Sequence, residues 1–427
     1  MTESAVHSDI TTTSPRKRLA DLPWIKGLQA DYQAVFVNEW SPYFGAVVIV
    51  LITSALMASG FFWGVFGGLK LLGNYFNNLI GLGPVLGIKS ELESPLMNRI
   101  AILDICLVIG AFSAALLSGQ FRISRPPKLE YLWAALGGSF MGIGASLAGG
   151  CTTGGFFTPV MFSSPAGWAM WVGLLAGAFI GLKLLLWTME HIQWGMVAPP
   201  RSEVPFGRSY YTPAGFLVIL LVLYWATSWF HSEDTRLVSR AVLVLAGFGL
   251  GFTLHRSRFC FSRVFREPFM TGEGEMTKAM ILALALGVPA GSLLLKGGMV
   301  DPYLAIPATF WVGSVVGGLI FGIGMVFAGG CASGSLWRVG EGHVKLMVAV
   351  FFFAWIGAIA SAVFKKLGLT SKEMNLDLVE ESAVGIQAYL PDLFSGWGWA
   401  YAVGFGIMLV WYLLVRYNES TEKFTVF

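Results

Sequence analysis

Charged residues and histidine are scarce in this chain of 427 residues. Asp, Glu, Lys and Arg make up 12% of it, whereas about 25% is usual in soluble domains. Apolar residues make up 55%, and the mean hydropathy is +0.68. The net charge is only +3, and no lysine- or arginine-rich block is present, so no nucleic-acid partner is expected. The composition predicts an integral membrane protein in contact with a lipid bilayer.

Cysteine is equally scarce, with four residues in the chain: Cys106, Cys151, Cys260 and Cys331. None belongs to a C-x-x-C pair, and only five histidines are present, which argues against a zinc or iron–sulfur framework. Disulfide scaffolds serve small secreted domains, so a disulfide framework is not expected either. No nucleotide-binding motif is present, so ATP is not the direct driving force. We expect no cofactor and no metal.

Long apolar segments are abundant instead. A helix needs about 20 mostly apolar residues to cross the hydrocarbon core. Ten segments meet this requirement, near 43–63, 100–119, 131–150, 165–188, 213–230, 240–254, 276–295, 308–329, 346–364 and 396–416. The stretch Leu69 to Leu86 predicts a short interfacial or re-entrant helix, and 370–394 predicts a soluble loop with one helical turn. The predicted fold is an all-α polytopic membrane protein with 9–10 transmembrane helices plus short re-entrant helices.

Basic residues fall in alternate connections and predict the orientation. They are Arg16, Lys17, Arg18, Lys26, Arg122, Arg125, Lys128, Arg201, Arg208, Arg256, Arg258, Arg263, Arg266, Arg338 and Lys345. Because lysine and arginine stay on the cytoplasmic side, both termini are expected inside and the acidic segment 372–392 outside. The polar start, 1–31, has no apolar core and is not a cleavable signal peptide. The predicted location is therefore a bacterial inner membrane.

An internal repeat is the most informative feature. GSFMGIGASLAGGCTTGG at 138–155 matches GLIFGIGMVFAGGCASGS at 318–335, with nine of eighteen positions identical. Internal repeats are the common plan of secondary transporters, with the substrate site at the repeat interface. We expect two pseudo-symmetric, inverted repeats. The predicted organisation is a polar N-terminal cytoplasmic segment 1–38, a first membrane repeat 39–195, a connecting segment with one helix 196–235, a second membrane repeat 236–418 and a C-terminal tail 419–427.

Each repeat carries a Gly-Gly-Cys sequence, at 149–151 in the first repeat and at 329–331 in the second. Paired glycines are expected to break each helix inside the membrane, where irregular backbone must line a cavity or be buried in protein. A second short helix following the break would direct free N–H groups at an anion. The predicted substrate-binding residues here are Cys151, Gly150, Thr152, Cys331, Gly330 and Ser333. The alternative interpretation is packing alone, because G-x-x-x-G sequences usually serve helix contact and buried cysteines usually act as small hydrophobes.

The segment LHRSRFCFSRVFRE at 254–267 surrounds Cys260 with four arginines. They either set topology by snorkelling or form a funnel that concentrates an anion at one mouth. On the second interpretation Arg258 and Arg263 join Cys260 in the predicted substrate site. Neighbouring cations favour the thiolate, but an S–H donor remains the alternative form. The polar residues after Cys331 form either an inner exit or a salt-bridged helix end.

These segments resemble the YeeE/YedE family, whose members carry the sulfur transport domain and include thiosulfate importers. The matching stretches are LLSGQFRISRP at 116–126, GIGASLAGGCTTGG at 142–155, HRSRFCFSRVFRE at 255–267 and FGIGMVFAGGCASGSLWRVGEGH at 321–343. The layout is closest to the YedE type, which is associated with selenium as well as sulfur. One departure is that 58–68, ASGFFWGVFGG, lacks a counterpart of the Cys260 segment.

The resemblance implies an all-helical importer in which Cys151, Cys260 and Cys331 contact thiosulfate along a narrow central path. It also implies a small soluble sulfur carrier of the TusA type as a cytoplasmic partner. The expected function is import of thiosulfate or a similar sulfur anion by a protein that is not an enzyme. Transport of selenium species, sulfite or sulfane sulfur, a membrane sulfurtransferase, and a structural subunit with inert cysteines are the alternatives.

Overall fold

The computed structural model describes residues 23–191, 210–370, 381–394 and 396–426. Residues 23–38 belong to a separate unit and contain α1, Pro23–Tyr32, followed by a π-helical turn, Gln33–Val37. The rest of the chain forms the membrane unit. Its ten long helices are α2 (Pro42–Ala58), α5 (Arg99–Leu117), α6 (Lys128–Ala148), α8 (Pro165–His191), α9 (Tyr211–Phe230), α10 (Thr235–Arg256), α12 (Glu275–Lys296), α13 (Val312–Ala328), α15 (Val344–Lys366) and α17 (Trp397–Thr421).

Short elements fill the spaces between these helices. They are α3 (Phe66–Leu79), α4 (Gly83–Leu86), a π-helical turn (Thr152–Phe157), α7 (Thr158–Met161), α11 (Phe261–Met270), a 3₁₀ turn (Pro302–Ala305), α14 (Ala332–Glu341), β1 (Glu381–Ser382), β2 (Gly385–Ile386) and α16 (Leu390–Leu393). The strands β1 and β2 pair antiparallel in a single hairpin.

Local chemistry explains where several long helices begin. The Asn98 side chain accepts hydrogen bonds from the backbone N–H groups of Ile100 and Ala101 at 3.2 and 3.1 Å, and so caps α5. Asp234 caps α10 in the same way, through the N–H of Arg236 at 2.8 Å. Such caps satisfy donors that the first helical turn leaves without intrahelical partners. The apolar sequence that follows each cap then continues the helix across the membrane.

The repeated helices α6 and α13 lie side by side and run antiparallel. A Cβ added at Gly137 would lie 2.7 Å from the carbonyl oxygen of Gly324, and one at Gly144 would lie 2.5 Å from that of Gly317. Gly317 and Gly324 are the counterparts of Gly137 and Gly144 at a spacing of 180 residues. Each helix therefore presents the same residues to the other, as a two-fold axis requires. Antiparallel spans of equivalent sequence make the two repeats inverted.

The same two-fold relation extends to the helices that follow. A Cβ at Gly142 would lie 2.7 Å from the nitrogen of Gly357, and one at Gly322 would lie 2.9 Å from the Cα of Gly177. Both pairs are again related by 180 residues. The helix α15 thus packs on α6 as α8 packs on α13. Close backbone approach at glycine is the usual means of joining helices in a membrane.

Other contacts repeat in exchanged form between the halves. The helix α10 packs on α5 as α2 packs on α12, and α9 packs on α5 as α17 packs on α12. The short helices show the same exchange: α3 of the first half contacts α15 of the second, and α11 of the second half contacts α8 of the first. The core is therefore built from pairs that cross between the halves, and neither half has a separate core.

The connections meet on two opposite faces. On one face, Ser124 bridges to His343, and the N–H of Arg122 donates to the carbonyl of Glu341 at 3.1 Å. On the other, Phe310 bridges to Ile386, and the N–H of Leu390 donates to Ser163 at 2.9 Å. The first face carries the basic connections, so the positive-inside rule predicts that it is the cytoplasmic one.

The prediction of an all-α polytopic membrane protein is confirmed. Within the described ranges, nine helical segments are long and apolar enough to cross a membrane. The helix expected within Leu69–Leu86 is also confirmed, as α3 and α4. The predicted domain boundaries remain predictions. Residues 1–22, 192–209 and 371–380 lie outside the described residues, and with them Arg16, Lys17, Arg18, Arg201, Arg208 and much of the acidic outer segment.

Candidate substrate pathway

Four short helical segments begin inside the bundle, and cysteine occupies the N-cap of three of them. Cys151 caps the π-helical turn, Cys260 caps α11 and Cys331 caps α14. Val65 occupies the corresponding position of α3. The first repeat thus has valine, an apolar residue, at the N-cap of its short helix α3, whereas the second repeat has Cys260 at the N-cap of α11. Helix N-termini carry partial positive charge, so the three thiols lie where an anion is stabilised.

The Gly-Gly-Cys sequences break both helices in the same conformation. Gly149 ends α6 with φ +73°, and Gly329 ends α13 with φ +81°. These values lie in the left-handed region that glycine adopts without the strain of a Cβ. Cys151 then has φ −79° and ψ −171°, and Cys331 has φ −78° and ψ 178°. The predicted helix breaks are confirmed, and both cysteines leave them in the same extended geometry.

Hydroxyl groups follow each of these thiols. The Sγ of Cys151 lies 3.0 Å from Thr153 Oγ1, and that of Cys331 lies 3.6 Å from Ser333 Oγ. The backbone N–H of Gly334 also donates to Cys331 Sγ, at 3.2 Å. Each sulfur is accompanied by donors that would serve an anion equally well.

The structure brings Cys260 and Cys331 together. A Cβ added at Gly334 would lie 2.6 Å from Cys260 Sγ and 3.0 Å from Cys331 Sγ. The two sulfurs therefore lie within a few ångströms of each other, and both are buried free cysteines. No hydrogen bond between described residues joins Cys151 to this pair.

Arginines lie beside the Cys260–Cys331 pair. Arg266 and Arg338 are close enough to act electrostatically on Cys260. Arg338 Nη1 donates to the carbonyl of Gly329 at 3.0 Å, which holds the guanidinium against the helix break. The Nε of Arg266 is buried and has no hydrogen-bond partner among the described residues. The positive charge that faces the thiols thus comes from these two residues.

The predicted anion-funnel residues Arg258 and Arg263 are engaged by other groups. Arg258 Nη1 donates to Glu341 at 2.9 Å and its Nε to Glu39 at 3.0 Å. The Nε of Arg263 pairs with Glu267. Glu341 also lies 3.4 Å from His343 Nε2, so the polar residues after Cys331 form a network at a helix end. This geometry matches the salt-bridged helix end, the alternative that the sequence analysis gave for the residues after Cys331.

A cavity of about 980 Å³ ends at the first cysteine site. Gly150 and Cys151 line it, together with α3 and the end of α15. It also includes Pro307 and Gln387, which belong to the face opposite the basic connections. On the orientation predicted from the basic connections, this cavity would lie on the outer side and Cys151 would be reached from outside.

Two lysines face each other in this cavity. Lys70 of α3 and Lys365 of α15 both line it, and the two ammonium groups interact electrostatically. In the described part of the chain neither has a carboxylate within ion-pairing distance; the Lys70 ammonium instead lies 5.8 Å from the centre of the Phe66 ring. Facing cations without a counter-ion create a positive potential in a cavity, and such a potential attracts an anion.

Sequence reasoning missed these lysines and one buried carboxyl group. Asp104, in α5, is 4% exposed, and neither of its oxygens has a hydrogen-bond partner among the described residues. It acts electrostatically with Cys151. An acidic residue in an apolar segment is itself a signal of function in membrane proteins, and that signal could have identified it.

The remaining predicted residues are also accounted for. Thr152 is fully buried, and its hydroxyl has no partner in the described ranges. Gly330 lies against Ser335, with a virtual Cβ 3.1 Å from the Ser335 hydroxyl oxygen. Cys106 is buried in α5 and packs against Gly247 of α10, as expected for a small hydrophobe.

Comparison with known proteins decides the family. The sulphur transport family model matches residues 13–180 and 256–426, which is more than half of the chain. The chain belongs to the sulphur transport family. The resemblance drawn from the cysteine segments is thereby confirmed.

Several members of the family with known names are similar to this chain. "Probable transporter YedE" of Escherichia coli strain K12 is 27% identical over 340 residues, which cover 75% of this chain and 80% of that protein. "Thiosulfate transporter TsuA" of the same organism is 35% identical over 116 residues, 27% of this chain and 32% of that protein. The TsuA of Spirochaeta thermophila is 37% identical over 118 residues, 28% of this chain and 35% of that protein. This sulphur transport protein is accordingly a multi-pass bacterial membrane protein.

Proposed function

We propose that this protein imports thiosulfate, or a closely similar sulfur anion, across the bacterial inner membrane through a path lined by Cys151, Cys260 and Cys331. The lysine-lined cavity that ends at Cys151 is the observation that carries the proposal. Four lysines line it, Lys70, Lys89, Lys365 and Lys366, and within the described ranges Lys70 and Lys365 make no ion pair with a carboxylate, so the cavity attracts an anion. The thiosulfate transporters among the relatives support the choice of substrate.

The anion gathers first in the outer cavity. Two unit charges 4 Å apart attract each other by about 1 kcal/mol in water and by about 4 kcal/mol near a protein surface, and a divalent anion doubles these values. Lys70 and Lys365 therefore raise the local concentration of the anion and draw it toward Cys151. The lysines need only modest affinity, because conduction requires sites that also release the ion.

The anion then meets thiols and helix N-termini in turn. An S–H group is a weak donor, and the N–H groups of the first helical turn add partial positive charge. Cys331 and Cys260 form the next station, with Arg338 and Arg266 alongside. Several weak sites in series suit passage of an ion better than one tight site.

A membrane sulfurtransferase is the second candidate, because the adjacent thiols of Cys260 and Cys331 meet its geometric requirement. The Cys260 thiolate would attack the outer sulfur of thiosulfate, form a persulfide and release sulfite with the electron pair of the broken S–S bond. A soluble TusA-type carrier would then accept the sulfane sulfur at the cytoplasmic face. Mass spectrometry of Cys260 after exposure to thiosulfate separates the candidates, because import alone leaves the thiol unmodified.

Uptake of radiolabelled thiosulfate into proteoliposomes tests the proposal. The wild-type protein is expected to accumulate label above empty liposomes, and unlabelled thiosulfate should compete more strongly than sulfate, sulfite or selenite. Cys106→Ala is the matched control, because Cys106 is buried outside the path. Uptake by Cys151→Ala equal to that by Cys106→Ala would contradict the cysteine-lined path. Competition dominated by selenite would assign the path to selenium instead.

A further inference from the structure

A buried carboxyl group lies on α5, the helix whose Ile100 lines the outer cavity. Asp104 is one helical turn beyond Ile100, which lines the cavity wall. Its Oδ2 lies over Gly68 of α3, where an added Cβ would be only 2.3 Å away. Glycine at 68 is thus what leaves room for the carboxyl group between α3 and Cys151.

The surroundings of Asp104 determine its form. Neither oxygen has a hydrogen-bond partner among the described residues, and Cys151 is the titratable group that acts on it. The nearest cation of α3 in sequence, Lys70, acts electrostatically on Lys365 and makes no hydrogen bond to Asp104. An ionised carboxylate without a partner is far too costly at this depth, so Asp104 carries its proton.

A second unsatisfied group follows Cys151 directly in the chain. The Thr152 hydroxyl, directly after Cys151, is fully buried and has no partner among the described residues. Buried polar groups are normally paired, and unpaired ones mark places where a ligand completes the network. The Asp104 carboxylic acid, the Cys151 thiol and the Thr152 hydroxyl are all possible donors to an anion at Cys151.

From this arrangement we infer that Asp104 is a further substrate-binding residue, which as a neutral carboxylic acid donates a hydrogen bond to the anion at Cys151. This inference rests on the proposed function and deepens it. An ionised aspartate would repel the anion, whereas the protonated form can donate a hydrogen bond to it. Because the apolar residues around Asp104 keep it protonated, they serve substrate recognition as well as packing.

Infrared difference spectroscopy tests the protonated form directly. The spectrum of the wild type minus that of Asp104→Asn at neutral pH should contain the carbonyl band of a carboxylic acid. The matched control is Glu91→Gln, which removes an exposed carboxylate before α5 and should leave that band in place. Thiosulfate should shift the band in the wild type. A missing band, or a band that thiosulfate does not move in a protein that takes up thiosulfate, would overturn the inference.

Uptake by two variants of similar size completes the test. Asp104→Asn keeps a neutral donor and should stay within about threefold of the wild type. Asp104→Leu loses the donor and should weaken apparent affinity by about 10- to 100-fold, as for a hydrogen bond to a charged group. Equal apparent affinity in Asp104→Leu and the wild type would also overturn it. Wild-type protein that takes up no thiosulfate would instead refute the proposed function.

Discussion

Gly334 lies against both of the adjacent thiols, and a methyl group there should obstruct the path. A Cβ at Gly334 would lie 2.6 Å from Cys260 Sγ and 3.0 Å from Cys331 Sγ, both far inside van der Waals contact. Gly154 is the counterpart in the first repeat, where an added Cβ would have its nearest contact 3.4 Å away, at the Cα of Gly64. The two repeats thus supply a matched pair of substitutions, Gly334→Ala and Gly154→Ala.

The expected effect of Gly334→Ala is a loss of uptake without a loss of folded protein. Overpacking a tight site costs about 1–3 kcal/mol, and the same cost on the transport barrier slows uptake by about 5- to 150-fold. Alanine is intrinsically better than glycine inside a helix by about 1 kcal/mol, so α14 itself should not unfold. Initial rates of thiosulfate uptake, with the amount of monodisperse protein as the control, measure the effect. Wild-type rates in Gly334→Ala, or an equal loss in Gly154→Ala, would refute the reasoning.

Three further predictions concern the cysteine pair, the outer lysine and the inner salt bridge. Mild oxidation should cross-link Cys260 to Cys331 and stop uptake, and a reductant should restore it; persistence of two free thiols by mass spectrometry would contradict their proximity. Lys70→Gln should raise the KM for thiosulfate by about tenfold, because it removes one of the two facing charges. Added salt should reduce the difference in KM between the variant and the wild type. An unchanged KM at low salt would exclude the outer cavity as the entry. Glu341→Gln should destabilise the protein by about 2 kcal/mol in thermal unfolding, because it removes a charged hydrogen bond and leaves Arg258 with its bonds to Gln120 and Glu39. Glu39→Gln, at an exposed carboxylate, should cost less than about 1 kcal/mol. Equal costs would show that the network around Glu341 does not stabilise this face.

Much of the architecture could be predicted because long apolar segments identify membrane helices in a sequence. The need for about 20 apolar residues fixes each span to within a few positions, and α5 and α9 begin and end close to the predicted limits. The helix breaks were predictable for a local reason, since Gly149 and Gly329 must adopt the left-handed conformation. The duplication of Cys151 as Cys331 then pointed to the chemistry.

The pairing of side chains across the fold could not be predicted in this way. Arg258 is adjacent to the Cys260 segment in sequence, yet its guanidinium reaches Glu341, 83 residues away. One of the two arginines that act electrostatically on Cys260 is Arg338, which follows Cys331 in the sequence and not Cys260. Such contacts depend on which short helices cross between the halves, and the hydrophobic pattern of one helix contains no information about that crossing.

The central claim is that a sulfur anion passes through this protein along its cysteines, and growth of a bacterium that depends on thiosulfate as its sole sulfur source tests it most directly. The strain would carry the wild type, no transporter, or Cys151→Ala, Cys260→Ala, Cys331→Ala or the control Cys106→Ala, each at matched membrane levels and with a TusA-type carrier present. Growth with the wild type and the control, but with none of the other three variants, is the predicted result. Growth with all four variants, or none with well-expressed wild type, would contradict the account.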